Sequence, residues 1–271
     1  MALNGLEPIT AIVLAGGEHD AVAALAPGAP NKSFVPIAGK TLVRRTISAL
    51  RSSPQIGRIV AVAPFVPLAL AELSDADEIR RDGATITQSL RAGLRDLPAD
   101  KLALVVASDL PILTRAAIEQ FLDLAVAADA DIVYGCVEQT VHLARYPEIP
   151  HTWARLREGL FCGGGLTALR PRVLDALDGF LERLGAARKN PARLASIFGP
   201  TVLARYALRR LSIHDAERRA TELLGFSAVA AVCAHPEIAV NVDRVTDVAL
   251  AEGLLEDYAV QDASFGFTSS V

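Results

Sequence analysis

The stretch AIVLAGGEHDAVAALAPGAPNKSFVPIAGKT, Ala11–Thr41, starts as an apolar run, breaks at a glycine pair, and continues through a polar loop into two lysines beside small residues. It invites a phosphate-binding reading, and the two common signatures fail. A P-loop requires a glycine, four residues, then Gly-Lys-Ser/Thr, so that backbone amides wrap a phosphate while the lysine reaches the outer oxygens. Gly39-Lys40-Thr41 supplies the end of that pattern, but Phe34 stands where its first glycine belongs. Lys32-Ser33 fails as well, with Asn31 and Ala26 at its glycine positions. The three-glycine dinucleotide fingerprint is also absent after Gly16-Gly17. What survives is a buried strand that ends on glycines, whose missing side chains let backbone N–H groups approach an anion closely.

Outward from this stretch, short apolar runs alternate with helical patterns, the signature of a mainly parallel sheet with covering helices. Strands are expected at Thr10–Leu14, Arg58–Ala63, Leu102–Ala107, Asp131–Val137, Leu166–Leu169 and Ser227–Val232, with KTLVRRTISALRSS, ITQSLRAGLRDL and TRAAIEQFLDLAVAA as helices between them. The chain reads as one α/β domain over residues 1–258, with a basic helical insert at about 171–222 and a tail over 259–271. From Leu181 to Ala220 the pattern is helical throughout, and nine Lys/Arg face three acids, a net +6 in a chain that totals −4. That contrast fits either an anionic ligand or a solvated arginine-rich surface.

Composition removes several classes. At 271 residues and 51% hydrophobic content the chain builds a large core and is not disordered. A net charge of −4 argues against a surface devoted to nucleic acid, and no nucleic-acid partner is expected. Cys136, Cys162 and Cys233 lack metal-like spacing and read as free thiols in a reducing compartment. The N-terminus lacks the basic start and apolar run of a signal peptide, and the apolar segment IVAVAPFVPLALAEL is broken by Pro64 and Pro67, so a cytoplasmic protein without stable membrane insertion is expected.

In an open α/β sheet, ligands sit beyond the carboxyl ends of the strands. Ala15-Gly16-Gly17 lies there, and so does Asp109 in Ser108-Asp109-Leu110-Pro111. A carboxylate in that place suits Mg²⁺, which prefers oxygen ligands and keeps several waters; the alternative is a cap for the helix near Thr114, although Thr114 can cap it alone. Later, EIAVNVDRVTDVALAEGLLEDY reads as a short strand, then Asn241, Asp243 and Asp247, then an amphipathic helix, with the carboxylates open to the same two readings.

Taken in order, IVLAGG, NKSFVPIAGKTLVRRTISAL, ASDLP and NVDRVTDVALAEGLL resemble the MobA-like NTP transferases, a family that includes molybdenum-cofactor guanylyltransferases. The further segments TWARLREGLFCGGGLTALRP and ARKNPARL resemble an uncharacterised subgroup with an extra helical region. The resemblance implies a Rossmann-like, three-layer, GT-A-like nucleotidyltransferase fold with a mixed, mainly parallel sheet. It places the base and ribose over Leu14, Ala15, Gly16 and Gly17, with Ser89 and Gly93 also near the nucleotide, and sets Lys32 on the phosphates. It makes Asp109 the metal aspartate and Asn241 with Asp243 the second metal position. The implied partners are Mg²⁺, an NTP (CTP or GTP) and an anionic small-molecule acceptor. Gly39-Lys40-Thr41 becomes a turn into a helix capped by Thr41.

The chain departs from the family at one point: EHDAVAALAPGAP, after the glycine loop, holds no Lys or Arg where members usually carry an arginine. Arg188, Lys189 and Arg193 of the insert are candidates to supply that charge, with Arg188 and Lys189 directed into the cleft and Arg209, Arg210, Arg218 and Arg219 on an outer face. The implied reaction is transfer of NMP from an NTP to a phosphorylated acceptor with release of pyrophosphate. A degenerate nucleotide-binding or sensing protein and a GT-A-type glycosyltransferase are the alternatives. The nucleophile would be an ionised phosphate, whose second pKa is near ~6, so no general base is required. His142, His151, His214 and His235 accordingly read as surface or helix residues, and Cys162 is not read as a nucleophile. Gly163–Gly165 shape either an acceptor pocket or a hairpin or bulge. Trp153 and Tyr146 read as packing residues or as stacking platforms.

Overall fold

The computed structural model describes residues 7–187 and 197–266. Its strands are β1 (Ile9–Leu14), β2 (Pro36–Ile37), β3 (Lys40–Thr41), β4 (Ile56–Ala63), β5 (Glu78–Arg81), β6 (Ala103–Ala107), β7 (Ile132–Glu138), β8 (Ala154–Arg155), β9 (Leu160–Leu169) and β10 (Ala228–Cys233). Its α-helices are α1 (Leu42–Ser52), α2 (Pro67–Glu72), α3 (Ile86–Leu94), α4 (Arg115–Ala128), α5 (Gln139–Arg145), α6 (Leu174–Ala187), α7 (Pro200–Ala207), α8 (Ile213–Leu224) and α9 (Val245–Gly266). The main sheet has the order β10-β7-β9-β6-β1-β4-β5, with β8 added on β9. Only β9 runs against its neighbours β6, β7 and β8; the remaining pairs are parallel. The six strands expected from apolar runs are all present.

A central parallel strand is buried on both faces and so must be apolar at every position. In β1, Ala11 and Val13 enter one core with Leu42, Ile47 and Leu50 of α1 and Ile118, Phe121 and Leu122 of α4. Ile12 enters the other, with Leu90 and Leu94 of α3 and Val173 and Leu174 at the head of the insert. Three layers result, and the insert begins as part of the second core. Thr85 and Thr114 cap α3 and α4 through side chains that accept from Gln88 and Ala117 amides.

Several local expectations change. Strand β5 has no apolar run because it sits at the sheet edge and carries Arg80, buried beneath α3 and bonded to Glu78, Asp96 and the carbonyls of Ala92 and Gly93. Strand β9 begins at Leu160 rather than Leu166, taking in Gly163–Gly165, and its register with β7 shifts between Tyr134 and Cys136. The segment thus pairs with β8 as a hairpin and is irregular against β7. Its glycines admit neighbours: a Cβ on Gly164 would lie 2.9 Å from the Ile238 side chain, and one on Gly165 2.9 Å from Leu110. The strand expected before Asn241 is instead a buried 3₁₀ turn, Pro236–Ala239, which carries Ile238 into that space. Thr41 stands at the start of α1 but does not cap it; its hydroxyl donates to Glu72 at 2.6 Å. Gly39 does form the expected turn: Ala38 and Gly39, both at positive φ, close the β2–β3 hairpin. Helix α9 continues to Gly266, into the segment expected to be a tail.

Gly93 sets how closely α3 approaches the sheet, since a Cβ there would lie 2.4 Å from Ile12 Cγ2 and 3.1 Å from Val62 Cγ2. Alanine is the better helix former by roughly 1 kcal/mol, but β1 is fixed from both sides and cannot yield. Gly93→Ala should lower stability in urea unfolding by about 1–2 kcal/mol, within the range typical of overpacking. The loss should shrink in an Ile12→Ala background. An equal or raised midpoint for the single variant would show that α3 slides off the sheet without cost.

Candidate active site

The carboxyl ends of β1, β4, β5, β6 and β7 share one edge of the sheet, and the chain after β1 turns there through Ala15-Gly16-Gly17. The Ala15 amide donates to Val62 O at 2.8 Å, which keeps the loop aligned with β4 as it leaves the strand. A Cβ on Gly16 would lie 2.7 Å from Asp82 Cβ, so glycine lets the β5 exit pack against this loop. Gly17 has φ +125° and open space where its side chain would be, leaving its backbone accessible from the mouth.

Three neutral side chains then fix the lysine. Asn31 Nδ2 donates to Ala15 O at 2.9 Å, and its Oδ1 accepts from the Ser33 amide at 3.0 Å, capping the 3₁₀ turn Lys32–Phe34. Ser33 Oγ and Ser108 Oγ lie 2.7 Å apart, and Ser108 Oγ donates to Leu14 O at 2.7 Å. All three side chains are buried, so each hydrogen bond also satisfies a group that would be costly to leave alone. Together they join the ends of β1 and β6 to the lysine turn.

On that base the Lys32 ammonium lies between two carboxylates, 2.6 Å from Asp109 Oδ2 and 2.5 Å from Asp243 Oδ1. Asp109 is no helix cap, since Thr114 serves α4. Its backbone carbonyl accepts from Val242 N at 3.1 Å, which pins the late acidic loop against the β6 exit. Asn241 donates its side-chain amide to Asp243 Oδ2. Asp247 takes the capping role, accepting from the Asp243 and Arg244 amides at 3.0 and 2.8 Å.

The electrostatics are asymmetric. Burial opposes the charge on Lys32, but Asp109 and Asp243 outweigh it and hold the lysine above its ordinary pKa. For Asp109 burial wins: it raises the carboxyl above its usual range despite Lys32, and Asp243 adds to the rise. Asp109 Oδ1 is buried without a hydrogen-bond partner. An orphaned, desolvated carboxylate oxygen beside a second carboxylate is a donor set for a hard cation, which takes oxygen ligands. Asp109 and Asp243 fit Mg²⁺ on that ground, and Asn241 lies within their reach through Asp243.

Other residues singled out in the sequence make the following contacts. Ser89 is buried, and its hydroxyl accepts from the Gly83 amide at 3.0 Å. Gly93 packs on β1 and β4. Lys40 donates to Ser48 at 2.7 Å along α1. Arg188, Lys189 and Arg193 lie outside the described residues. Arg205 and Arg218 pair with Asp215, while Arg219 binds the carbonyls of Ile197 and Phe198, so these basic groups of the insert hold α7 and α8 together. Tyr146 is buried, its hydroxyl 2.5 Å from that of Tyr258.

One group was not legible in the sequence. Helix α5 leaves the carboxyl end of β7 and puts His142 in the interior, where burial holds the imidazole neutral at about 4, helped by nearby His151. The ring centroids of His142 and His151 are 4.3 Å apart, and Trp153 packs edgewise on both. Burial also depresses His151, against an opposing pull from Asp243 and Asp247. The cluster thus borders the acidic loop of the mouth.

Known proteins share this fold. The described structure resembles a hypothetical transferase from Thermus thermophilus, at 34% identity and a TM-score of 0.77 over 89% of this chain and all of that one. It also resembles 4-diphosphocytidyl-2C-methyl-D-erythritol synthase from Anaerococcus prevotii (14% identity, TM-score 0.57, 92% of this chain and 96% of that). A third likeness is to CMP:2-keto-3-deoxy-manno-octonic acid synthetase complexed with CTP (12% identity, TM-score 0.55, 93% of this chain and all of that). No curated protein matches. Residues 11–211 match the MobA-like NTP transferase domain, a span from the glycine loop through Lys32 and Asp109 into the insert, and the chain belongs to that family of nucleotidyltransferases.

Proposed function

We propose that this protein transfers a nucleoside monophosphate from an NTP to a phosphorylated small-molecule acceptor, with Mg²⁺ and with release of pyrophosphate. The observation that carries the reading is the convergence of Asp109 and Asp243 on Lys32 beside an open glycine loop. An acceptor phosphate oxygen attacks the α-phosphorus in line; the bond from that phosphorus to the bridging oxygen breaks, and pyrophosphate departs with the electron pair. Negative charge grows on oxygens that fixed cations and amides must meet. Mg²⁺ held by Asp109 and Asp243 would neutralise phosphate charge in the transition state. The Lys32 ammonium, released from the carboxylates, turns to the phosphates, while Gly16-Gly17 leaves room for the nucleotide against the end of β1. The synthetase complexed with CTP makes CTP the first nucleotide to test.

A second reading, a protein that binds nucleotide without turning it over, rests on the absence of Lys and Arg between Gly17 and Lys32. Pyrophosphate release measured across CTP, GTP, ATP and UTP, with extracted small-molecule phosphates as acceptors, separates the two: binding by calorimetry with no release for any pair favours the second.

Asp109→Asn should reduce pyrophosphate release at least ~10²-fold, the scale of a lost electrostatic stabiliser. It should not lower the melting temperature at neutral pH. The sign follows from the raised pKa: protonated Asp109 favours the fold, and that contribution is present below the unfolded value and lost as pH rises through the folded one. Asparagine keeps the neutral form throughout. A large drop in melting temperature would make Asp109 a structural residue.

Lys32→Met leaves two carboxylates without their shared cation. The variant should melt lower than the wild type at pH 7, with the gap narrowing on acidification as Asp109 takes up a proton. Added Mg²⁺ should raise its melting temperature more than that of the wild type. Equal shifts would show that the carboxylates do not hold the ion. Lys40→Ala, whose ammonium faces Ser48, should retain turnover.

A further inference from the structure

We propose that His142, His151 and Cys162 form a second, softer metal site that binds a zinc-class divalent ion. One potential ligand atom from each residue lies within 4.8 Å of the other two. They come from three segments with no sequence motif in common: the helix after β7, the loop that follows it, and the first turn of pairing in β9. Both nitrogens of His142 and Nε2 of His151 are buried without a hydrogen-bond partner. The Ile149 backbone approaches His142 closely enough to favour its charged form but not in hydrogen-bonding geometry. Buried polar atoms are almost always satisfied by protein or ordered water, and one nitrogen from each ring together with the thiol can share a single ion. The Cys162 thiol donates only a long bond, to Val137 O at 3.8 Å.

Two imidazoles and a thiolate select zinc-class ions over Mg²⁺, which prefers carboxylate, carbonyl and water oxygens. Ligation at ~2.0–2.1 Å to nitrogen and ~2.3 Å to sulfur requires a small contraction of the cluster. Binding displaces the Cys162 proton to solvent, because only the thiolate is a ligand. His142 and Cys162 are buried while His151 is half-buried, so the fourth ligand is a water entering past His151. The bound ion ties the 146–153 loop to the sheet and adds a net positive charge beside the acidic loop of the mouth, on ground distinct from the Lys32 cluster.

The test uses the intact protein after chelation and gel filtration, with zinc and cobalt salts as probes. Zinc should raise the melting temperature of the wild type by roughly 5–10 °C at a hundredfold excess over its dissociation constant. Cobalt should give a thiolate-to-metal charge-transfer band. Cys162→Ser should lose the band, and His151→Ala should lose the shift. Asp109→Asn should keep both, which separates this site from the Mg²⁺ carboxylates. Because Cys162 is buried, the chelated variants are melted first, and those that match the chelated wild type are compared; His151→Ala, on a half-buried loop residue, serves if Cys162→Ser unfolds. No zinc shift in the wild type, the same shift in His151→Ala, or a cobalt spectrum unchanged by Cys162→Ser would each overturn the site.

Discussion

Among the described residues, the Lys32 ammonium stands between two carboxylates far apart in the sequence, Asp109 after β6 and Asp243 before α9. Without it the mouth of the sheet would bring together two negative groups, one of them buried, in an environment where like charges repel strongly. The lysine therefore allows the acidic loop to dock, and the Val242–Asp109 backbone bond completes the junction. The same arrangement suits the proposed exchange: two oxygens already gathered around one positive charge would accept a divalent ion in its place with little rearrangement, and the lysine would leave with its charge intact. Folding without ligand and binding with it draw on one set of groups.

That economy depends on where the sheet delivers its strand ends. Parallel β1, β4, β5 and β6 all exit on one edge, and β7 joins them only because antiparallel β9 lies between it and β6. Glycines let β9 fill that place: Ile238 and Leu110 pack where side chains at Gly164 and Gly165 would stand. The 3₁₀ turn that carries Ile238 also leads into Asn241 and Asp243. Packing under β9 and placement of the second carboxylate are one structural event.

The sequence made the buried elements legible because parallel strands declare themselves as apolar runs and amphipathic helices by their period. Edge strand β5, with the sequence EIRR, gave no such signal: its stability comes from Arg80 folded under α3 against Glu78 and Asp96. The turn at Pro236–Ala239 read as a strand because Ile238 and Ala239 run on into Val240 as an apolar stretch, and the space above Gly164 draws Ile238 into a turn instead. At the mouth, the positions of Lys32, Asp109 and Asp243 followed from motif order and strand ends. The meeting of Asp109 with the Asn241–Asp243 loop was implied by the family resemblance; the Lys32 ammonium standing between the two carboxylates was not, since that contact joins residues 32, 109 and 243. The histidines were less legible still: His142 sits on a short helix that looks polar in sequence, and its burial arises from Tyr146, His151 and Trp153 folding over it.

The stretch from Glu18 to Asn31 carries no Lys or Arg, so in the proposed reaction the charge of a triphosphate would fall on few groups within the described mouth. Lys32 is the basic side chain joined to both acidic residues there, and its effect depends on being held in place beforehand. A cation that must be ordered during reaction loses much of its advantage to side-chain entropy and solvent reorganisation. Asn31, Ser33 and Ser108 remove that cost at the backbone: all are neutral, all are buried, and each bonds to the turn that carries Lys32 or to the end of β1. The ammonium itself sits at the end of an aliphatic stem, and the proposed reaction would have it move from the carboxylates to the phosphates. A rigid turn with a mobile tip reconciles the two requirements. It explains why a chain with no cation in the segment after its glycine loop can still present an ordered positive charge to an anionic ligand.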